Sequence, residues 1–342
     1  MPYINDRLTA NEELNRRNRI SSIASRTSRF TFEPDIVVAD LKRHILGQKD
    51  VITAMSDMLY VLKADFSEVN RPLSVNLFLG PTGVGKTETV RVLARSLLGD
   101  ANGICRIDMN TLAQEHYAAA LTGAPPGYVG SKEGHSLFNT EAIEGSYSRP
   151  GIVLFDEIEK ASKEVIRSIL NILDTGVLRL AGGTKTVNFS NAIVFMTSNV
   201  GARELASHQR RLTRRWLPMR RSQESAWRIV EPVLKKTFDP EFLNRIERQI
   251  LFRPLEHSVV ENIIDLEVEH LNRRLSVKNA SVSLDISARS YIASFYNQEY
   301  GARNVSQLIR LKLNPVIAQA IIKQIDQCEF SIRYINGEFK VS

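Results

Sequence analysis

Eight residues, GPTGVGKT from Gly80 to Thr87, fit the pattern G-x-x-x-x-G-K-[ST]. Such a stretch can cradle a phosphate chain. Gly80, Gly83 and Gly85 let backbone N–H groups curl around phosphate oxygens without Cβ clashes. Pro81, Thr82 and Val84 complete the loop. The helix expected after it adds the positive end of its dipole. Lys86 would reach the β- and γ-phosphates, and Thr87 would ligate Mg²⁺. A second group is GIVLFDEIEK, residues 151–160, where an apolar run ends in two adjacent carboxylates. Asp156 would hold Mg²⁺, directly or through water, and Glu157 would orient and deprotonate an attacking water. Paired acids at a strand end can also be a solvated loop start. Their place about 70 residues after the phosphate loop favours the catalytic reading. Together the two groups imply a triphosphatase of the phosphate-loop class using ATP and Mg²⁺, and they leave its client open.

These residues need elements to hold them. Ser74–Leu79 (SVNLFL) is apolar and of strand length, and Lys86–Leu98 follows as a helix with Gly99 placed to end it. Ile104–Met109, Ile152–Phe155 and Ala192–Thr197 are further apolar runs of strand length. Val165, Ile166, Ile169, Leu170, Ile172 and Leu173 have helical spacing, as do the apolar residues from Leu41 to Leu62 on either side of Gly47. Alternating strands and helices predict an α/β fold, a parallel sheet flanked by helices.

The pattern breaks at Phe252-Arg253-Pro254. Beyond it, Val259, Ile263, Leu266, Leu271 and Leu275 mark a long helix, and a strand is expected near Ser281–Ile286. Two more helical stretches follow. Pro315 should kink or split the second, and Asn336-Gly337 signals a tight hairpin. The expected division is a basic extension over 1–38, a phosphate-loop domain over 39–253, and a small, mostly helical lid with a β-hairpin over 254–342. The extension reads as a mobile or loosely docked tail, because arginines alternate there with Asn, Ser and Thr, or as a basic arm that meets a partner.

Composition narrows the classes. Apolar residues are 43% and charged residues 24%, values of a soluble globular protein with a real core. No run approaches the ~18 apolar residues of a membrane span. The first residues carry no apolar core of a secretory signal. Cys105 and Cys328, the two cysteines, are far apart in sequence and read as reduced thiols, which suits the cytoplasm.

Seven segments, in order, resemble the Clp family of AAA+ ATPases, most closely the second ATPase ring of ClpB-type protein disaggregases. They are ILGQ at Ile45–Gln48, GPTGVGKTE, LTGAPPGYVG at Leu121–Gly130, VLFDEIEKA, MTSN at Met196–Asn199, DPEFLNRI at Asp239–Ile246, and YGAR at Tyr300–Arg303. The resemblance implies an AAA+ domain with a Clp-type small domain, working as an ATP-dependent unfoldase. It implies that Ile45 and Leu46 sandwich adenine, that Asn199 senses the γ-phosphate, and that Arg303 touches the nucleotide of its own subunit. Arg245 matches the arginine finger, which acts on the neighbouring subunit's nucleotide, so a hexameric ring is implied. Tyr128 and Val129 match the pore loop that grips an extended polypeptide client. A second pore segment is expected at Leu180–Gly183.

Three features depart from the family's pattern. Its N-terminal domain, first ring and middle domain do not fit into the 38 residues before Ala39, so full disaggregation is not expected of this stretch. No I-G-[FL] tripeptide occurs, so docking on the ClpP protease is not expected. Residues 202–221 hold Arg203, Arg210, Arg211, Arg214, Arg215, Arg220 and Arg221 against one acid, Glu204. This is a solvated face or, with Trp216 among the arginines, a surface for a dedicated partner. Two other readings stand beside the unfoldase: an ATPase acting on nucleic acid, and a nucleotide-switched scaffold. The GYVG loop argues against the first, and intact Glu157 and Arg245 argue against the second.

Overall fold

The computed structural model of the chain describes residues 28–66, 68, 70–113, 138–179, 186–213, 223–324 and 327–341. Its centre is a five-stranded, all-parallel sheet of β1 (Ser74–Leu79), β2 (Cys105–Asp108), β3 (Gly151–Asp156), β6 (Ala192–Ser198) and β7 (Arg248–Leu251). The order across the sheet is β2-β3-β6-β1-β7. In the chain between β3 and β6 comes a separate two-stranded antiparallel ribbon, β4 (Val177–Arg179) and β5 (Thr186–Asn188).

The three central strands β3, β6 and β1 are buried along their whole length because both faces are covered, whereas the edge strands β2 and β7 carry polar residues such as Arg106 and Arg248. Alternation sends Ile152, Leu154, Ile193 and Phe195 to one face and Val153, Phe155, Val194 and Met196 to the other. The first face packs α1 (Pro34–His44), α2 (Lys49–Ala64) and α3 (Lys86–Leu98). The short helix α4 (Thr140–Glu144) precedes β3. The second face takes α5 (Lys163–Thr175), and Leu205, Val230 and Leu234 of α6 (Ala202–Thr213) and α7 (Gln223–Thr237) join the same cluster. Helix α5 is well specified: Ser162 caps its start by accepting from Val165 N–H, and Gly176 ends it at φ 64°.

The chain then passes through the short helix α8 (Pro240–Leu243) and β7 into the C-terminal part. There α9 (Val260–Leu275), α10 (Ile286–Ser294), α11 (Ala302–Leu308) and α12 (Asn314–Lys323) stand with β8 (Ser281–Leu284), β9 (Glu329–Ile335) and β10 (Glu338–Val341). Strand β9 pairs antiparallel with β10 through Asn336 and Gly337, both at positive φ. It also pairs parallel with β8, a partnership the hairpin signal does not reveal. Pro315 does not split its helix from within. It sits at the start of α12, after a π-helical turn over Ile309–Leu313 that absorbs the change. The apolar side of this part shares one continuous cluster with the first face of the sheet, and Phe252 packs on Phe78 with ring centroids 5.0 Å apart.

The N-terminal boundary differs from expectation. Ala39 lies inside α1, and the residues before that helix are docked. Phe30 and Phe32 are buried, Lys63 Nζ donates to both of their carbonyls at 3.0 and 2.7 Å, and Arg29 pairs with Asp65 at 3.0 Å. Two phenylalanines among polar neighbours carry no period, so composition alone hid the docking. Residues 1–27 lie outside the described residues. Cys105 is buried, Cys328 is exposed, and neither is in a disulfide. No described helix is long and apolar enough to cross a membrane.

Candidate functional site

In a parallel sheet, ligands gather at the carboxyl ends of the strands. Here those ends carry the predicted residues in spatial order. Strand β1 leads into the loop Gly80–Gly85, β6 into Asn199, and β3 into Glu157. Because β6 lies between β1 and β3, Asn199 stands between the loop lysine and the acids. A cleft of about 400 Å³ opens over these ends. Pro81 to Thr87, Asp156, Glu157 and Asn199 line it, and so do Ile45, Leu46 and Arg303.

Lys86 is buried and folded onto its own loop. Its Nζ donates to the carbonyls of Gly80 and Pro81 and to Asn199 Oδ1, the last at 2.9 Å. Burial pulls its pKa down to about 8; the carboxylates of Glu159, Asp156 and Glu157 offset part of this, and the Arg303 guanidinium pushes it further down. Lys86 and Arg303 thus face one cavity, with Arg91 and Arg106 also on its lining, an arrangement that suits a polyanion. Arg303 forms no ion pair among the described residues.

The loop touches the C-terminal part directly. Ala302 N–H, at the start of α11, donates to Gly83 O at 2.9 Å. Gly83 and Gly301 have φ of 73° and 57°, and a Cβ on Gly83 would collide with the Tyr300 carbonyl, one on Gly301 with that of Gly83. Only glycine permits this close backbone approach. Gln48 adds a second tie: its side chain accepts from Arg253 N–H at 3.1 Å and donates to Arg253 O at 2.8 Å. The same amide lies 3.5 Å from Val84 O of the loop.

Asp156 is engaged at both oxygens. Oδ1 accepts from the Thr197 hydroxyl, and Oδ2 accepts from Arg106 Nη2 at 2.7 Å and Nε at 3.1 Å. Glu157 takes a left-handed backbone, φ 59°, with its N–H donating to Thr197 Oγ1 at 3.0 Å. Its carboxylate accepts from Asn110 Nδ2, and Asn199 Nδ2 stands 3.5 Å away. Asn199 is itself held by its N–H, which donates to Glu159 Oε1 at 3.0 Å. The Thr87 hydroxyl and one Asp156 carboxylate are hard oxygen donors. They suit Mg²⁺, which keeps water and takes phosphate oxygens for its other ligands.

At the far end, Ile45 lies against the cleft and inside the core at once. His44 lines the same wall, with Nδ1 3.0 Å from Asp40. Burial pushes the Asp40 carboxyl up, but bonds from Ser96 and Arg95 outweigh it and hold its pKa below the usual value. Sequence reasoning missed Arg106, Thr197, Glu159, Gln48 and His44. The segments MTSN, DEIEK and ILGQ contained three of them, but their partners lie far away in the chain.

Arg245 is not brought to this cleft. It follows α8 and faces α5, with Nε 2.6 Å from Asp174 Oδ1. That is a charge contact without hydrogen-bond alignment, because Nε has no such bond. Arg248 instead lies at the sheet, donating to Ser74 Oγ at 3.0 Å. Tyr128, Val129, Leu180–Gly183 and the arginines from Arg214 to Arg221 lie outside the described residues.

Residues 71–249 match the family model of an AAA domain (Cdc48 subfamily), and residues 255–330 match that of the C-terminal, D2-small domain of ClpB protein. The chain belongs to the Clp family of AAA+ ATPases. It has the organisation of a ClpB-type second ATPase domain, and ATP hydrolysis is the activity of this fold. A Pseudomonas aeruginosa protein, "ATP-dependent protease ATP-binding subunit-like protein AmiB", is 48% identical over 86% of this chain and 81% of its own length. A Rhodococcus erythropolis "ATP-dependent protease ATP-binding subunit-like protein" is 39% identical over 94% and 92%. The chaperone protein ClpB of Rhodopirellula baltica is 38% identical over 83% of this chain, which spans only 31% of that longer protein. Among solved structures, a closed-state cryo-EM reconstruction of Hsp104 with ATPyS and FITC casein superposes with TM-score 0.77 at 29% identity, covering 90% of this AAA+ chain and 51% of Hsp104.

Proposed function

We propose that this AAA+ ATPase is a protein-remodelling unfoldase that works as a hexameric ring in the cytoplasm and draws polypeptide clients through its pore. The observation that carries this reading is the split of its arginines. Arg303 faces the chain's own cleft, whereas Arg245, in the finger motif, is turned away from it beside Asp174. A cleft completed from outside needs a second subunit. The casein in the Hsp104 reconstruction supports a polypeptide client.

In this reading Ile45 and Leu46 sandwich the adenine, and the loop from Gly80 through Gly85 holds the phosphates. Glu157 takes a proton from water, Asn199 aligns that water, and water oxygen forms a bond to the γ-phosphorus as the β–γ bridge breaks. Lys86, Arg303 and a neighbour's Arg245 balance the charge that moves onto the phosphate oxygens. Thr87 and Asp156 would hold Mg²⁺, which would supply further charge compensation. Loss of the γ-phosphate changes what Arg303 touches. Through the Gly83–Gly301 contact, that change tilts the lid relative to the sheet.

Tyr128 and Val129 grip the client by apolar contact. The test compares wild type with Tyr128→Ala on a folded fluorescent client carrying an unstructured tail. The variant should keep its basal ATPase and lose client unfolding. Client processing at the wild-type rate would remove the pore assignment, and an ATPase stimulated by DNA and by no protein would favour a nucleic-acid role.

A further inference from the structure

The metal-binding carboxylate already holds a cation of the chain's own. Strand β2 pairs with β3 so that Arg106 stands opposite Leu154, and Asp108 opposite Asp156. Residues opposite one another in a parallel pair point to the same face, and so do residues two apart in one strand. Arg106 is therefore a diagonal neighbour of Asp156 on one face, within reach of a long side chain. Its guanidinium sets two donors on Oδ2, at 2.7 and 3.1 Å. Thr197 occupies Oδ1.

The two partners differ in environment. The Asp156 side chain is 10% exposed and that of Arg106 is 52% exposed. A carboxylate so nearly buried is costly without a compensating charge. The arginine is free to swing into water or along the cleft wall, which it also lines. A divalent cation approaching Asp156, directly or through one water, would sit within a few ångströms of that guanidinium. Two positive charges at such spacing repel, so both cannot stay on Oδ2.

We propose that Arg106 is the resident counter-ion of Asp156, a positioning residue that neutralises the carboxylate between turnovers and is released when metal arrives with the nucleotide. This rests on reading the cleft as the nucleotide site. Release leaves a guanidinium on the wall beside the phosphate loop, so metal loading exchanges a carboxylate partner for a phosphate-facing one. The exchange lowers the affinity for metal alone and ties metal binding to nucleotide binding.

The test uses the full chain with Mn²⁺ as the probe, read by electron paramagnetic resonance with and without ADP. Binding of a fluorescent ADP analogue in chelator comes first, and its absence in wild type would reject the nucleotide reading itself. With ADP bound, Arg106→Gln should bind Mn²⁺ roughly three- to tenfold more tightly than wild type, the loss of a partly buried competing ion pair. Arg106→Lys should fall between. Equal or weaker Mn²⁺ binding by a folded Arg106→Gln protein would overturn the proposal, since a merely damaged site loses metal. Should that variant fail to fold, the Arg106 Nε signal of wild type decides by nuclear magnetic resonance. It should move on adding Mg²⁺ to the ADP complex, and a signal unmoved at saturation overturns the proposal.

Discussion

At the scale of single residues, Glu157 and Lys86 carry the sharpest expectations. Glu157 is held in a left-handed conformation with its carboxylate bonded to Asn110, so its place depends on backbone strain as well as side-chain type. Glu157→Gln should keep ATP binding and lose roughly 10²–10⁴-fold in turnover, the range of a general base. Single-turnover hydrolysis measures this, and a wild-type rate would reject the assignment. Lys86 has its pKa pulled to about 8 by burial. Between pH 7 and pH 9 its charged fraction in the empty cleft falls about tenfold, so ADP affinity should fall by up to about that factor. The bound polyanion favours the charged form, so binding at pH 9 should take up a proton. Calorimetry in buffers of different ionisation heat reads both effects, and proton-neutral, pH-independent binding would contradict them. The same depressed pKa means the empty protein gains stability as pH rises from about 8 toward the unfolded lysine value, because the unfolded chain then binds more protons.

At the scale of elements, the junction between sheet and lid combines one continuous apolar cluster with polar ties across it. Gln48, at the start of α2, satisfies both backbone groups of Arg253 and reaches toward Val84 in the phosphate loop. It is 3% exposed, so water cannot replace those bonds. Gln48→Leu keeps the volume and removes the amide. It should lower stability by about 1–3 kcal/mol in denaturant unfolding, from two part-buried hydrogen bonds lost at Arg253. It should also weaken nucleotide-dependent protection of the lid in hydrogen exchange. Unchanged stability and protection would show the staple to be idle.

At the scale of the whole molecule, Arg245 stands beside Asp174 and outside the chain's own cleft, and the proposed ring would bring it to a neighbour's. Arg245→Ala should reduce turnover at least about tenfold while leaving ATP affinity nearly intact, since in the proposed ring the finger acts across subunits. Mixed with Lys86→Ala subunits, it should recover activity above either variant alone. In such a ring some interfaces combine an intact cleft with an intact finger. Sedimentation with ATP measures the assembly, and a fully active monomer of the Arg245→Ala protein would remove the ring.

Some of this was legible in the chain itself because the physics is local. The phosphate loop needs glycines within eight residues, the strands need apolar runs, and Gly99 and Asn336-Gly337 mark a helix end and a turn by backbone conformation alone. The alternation of these elements determined the parallel sheet, and with it Lys86, Asp156, Glu157 and Asn199 at one edge. What stayed hidden depends on which strands become neighbours and in what register. Arg106 meets Asp156, 50 positions away, because β2 lies beside β3. Gln48 meets Arg253 across 205 positions, and Gly83 meets Gly301 because the lid folds back over the loop. Phe30 and Phe32 find their burial in a surface that exists after α2 has docked. No propensity or spacing encodes such pairings. They are decided when apolar faces close over one another, and the polar side chains brought along must then satisfy one another.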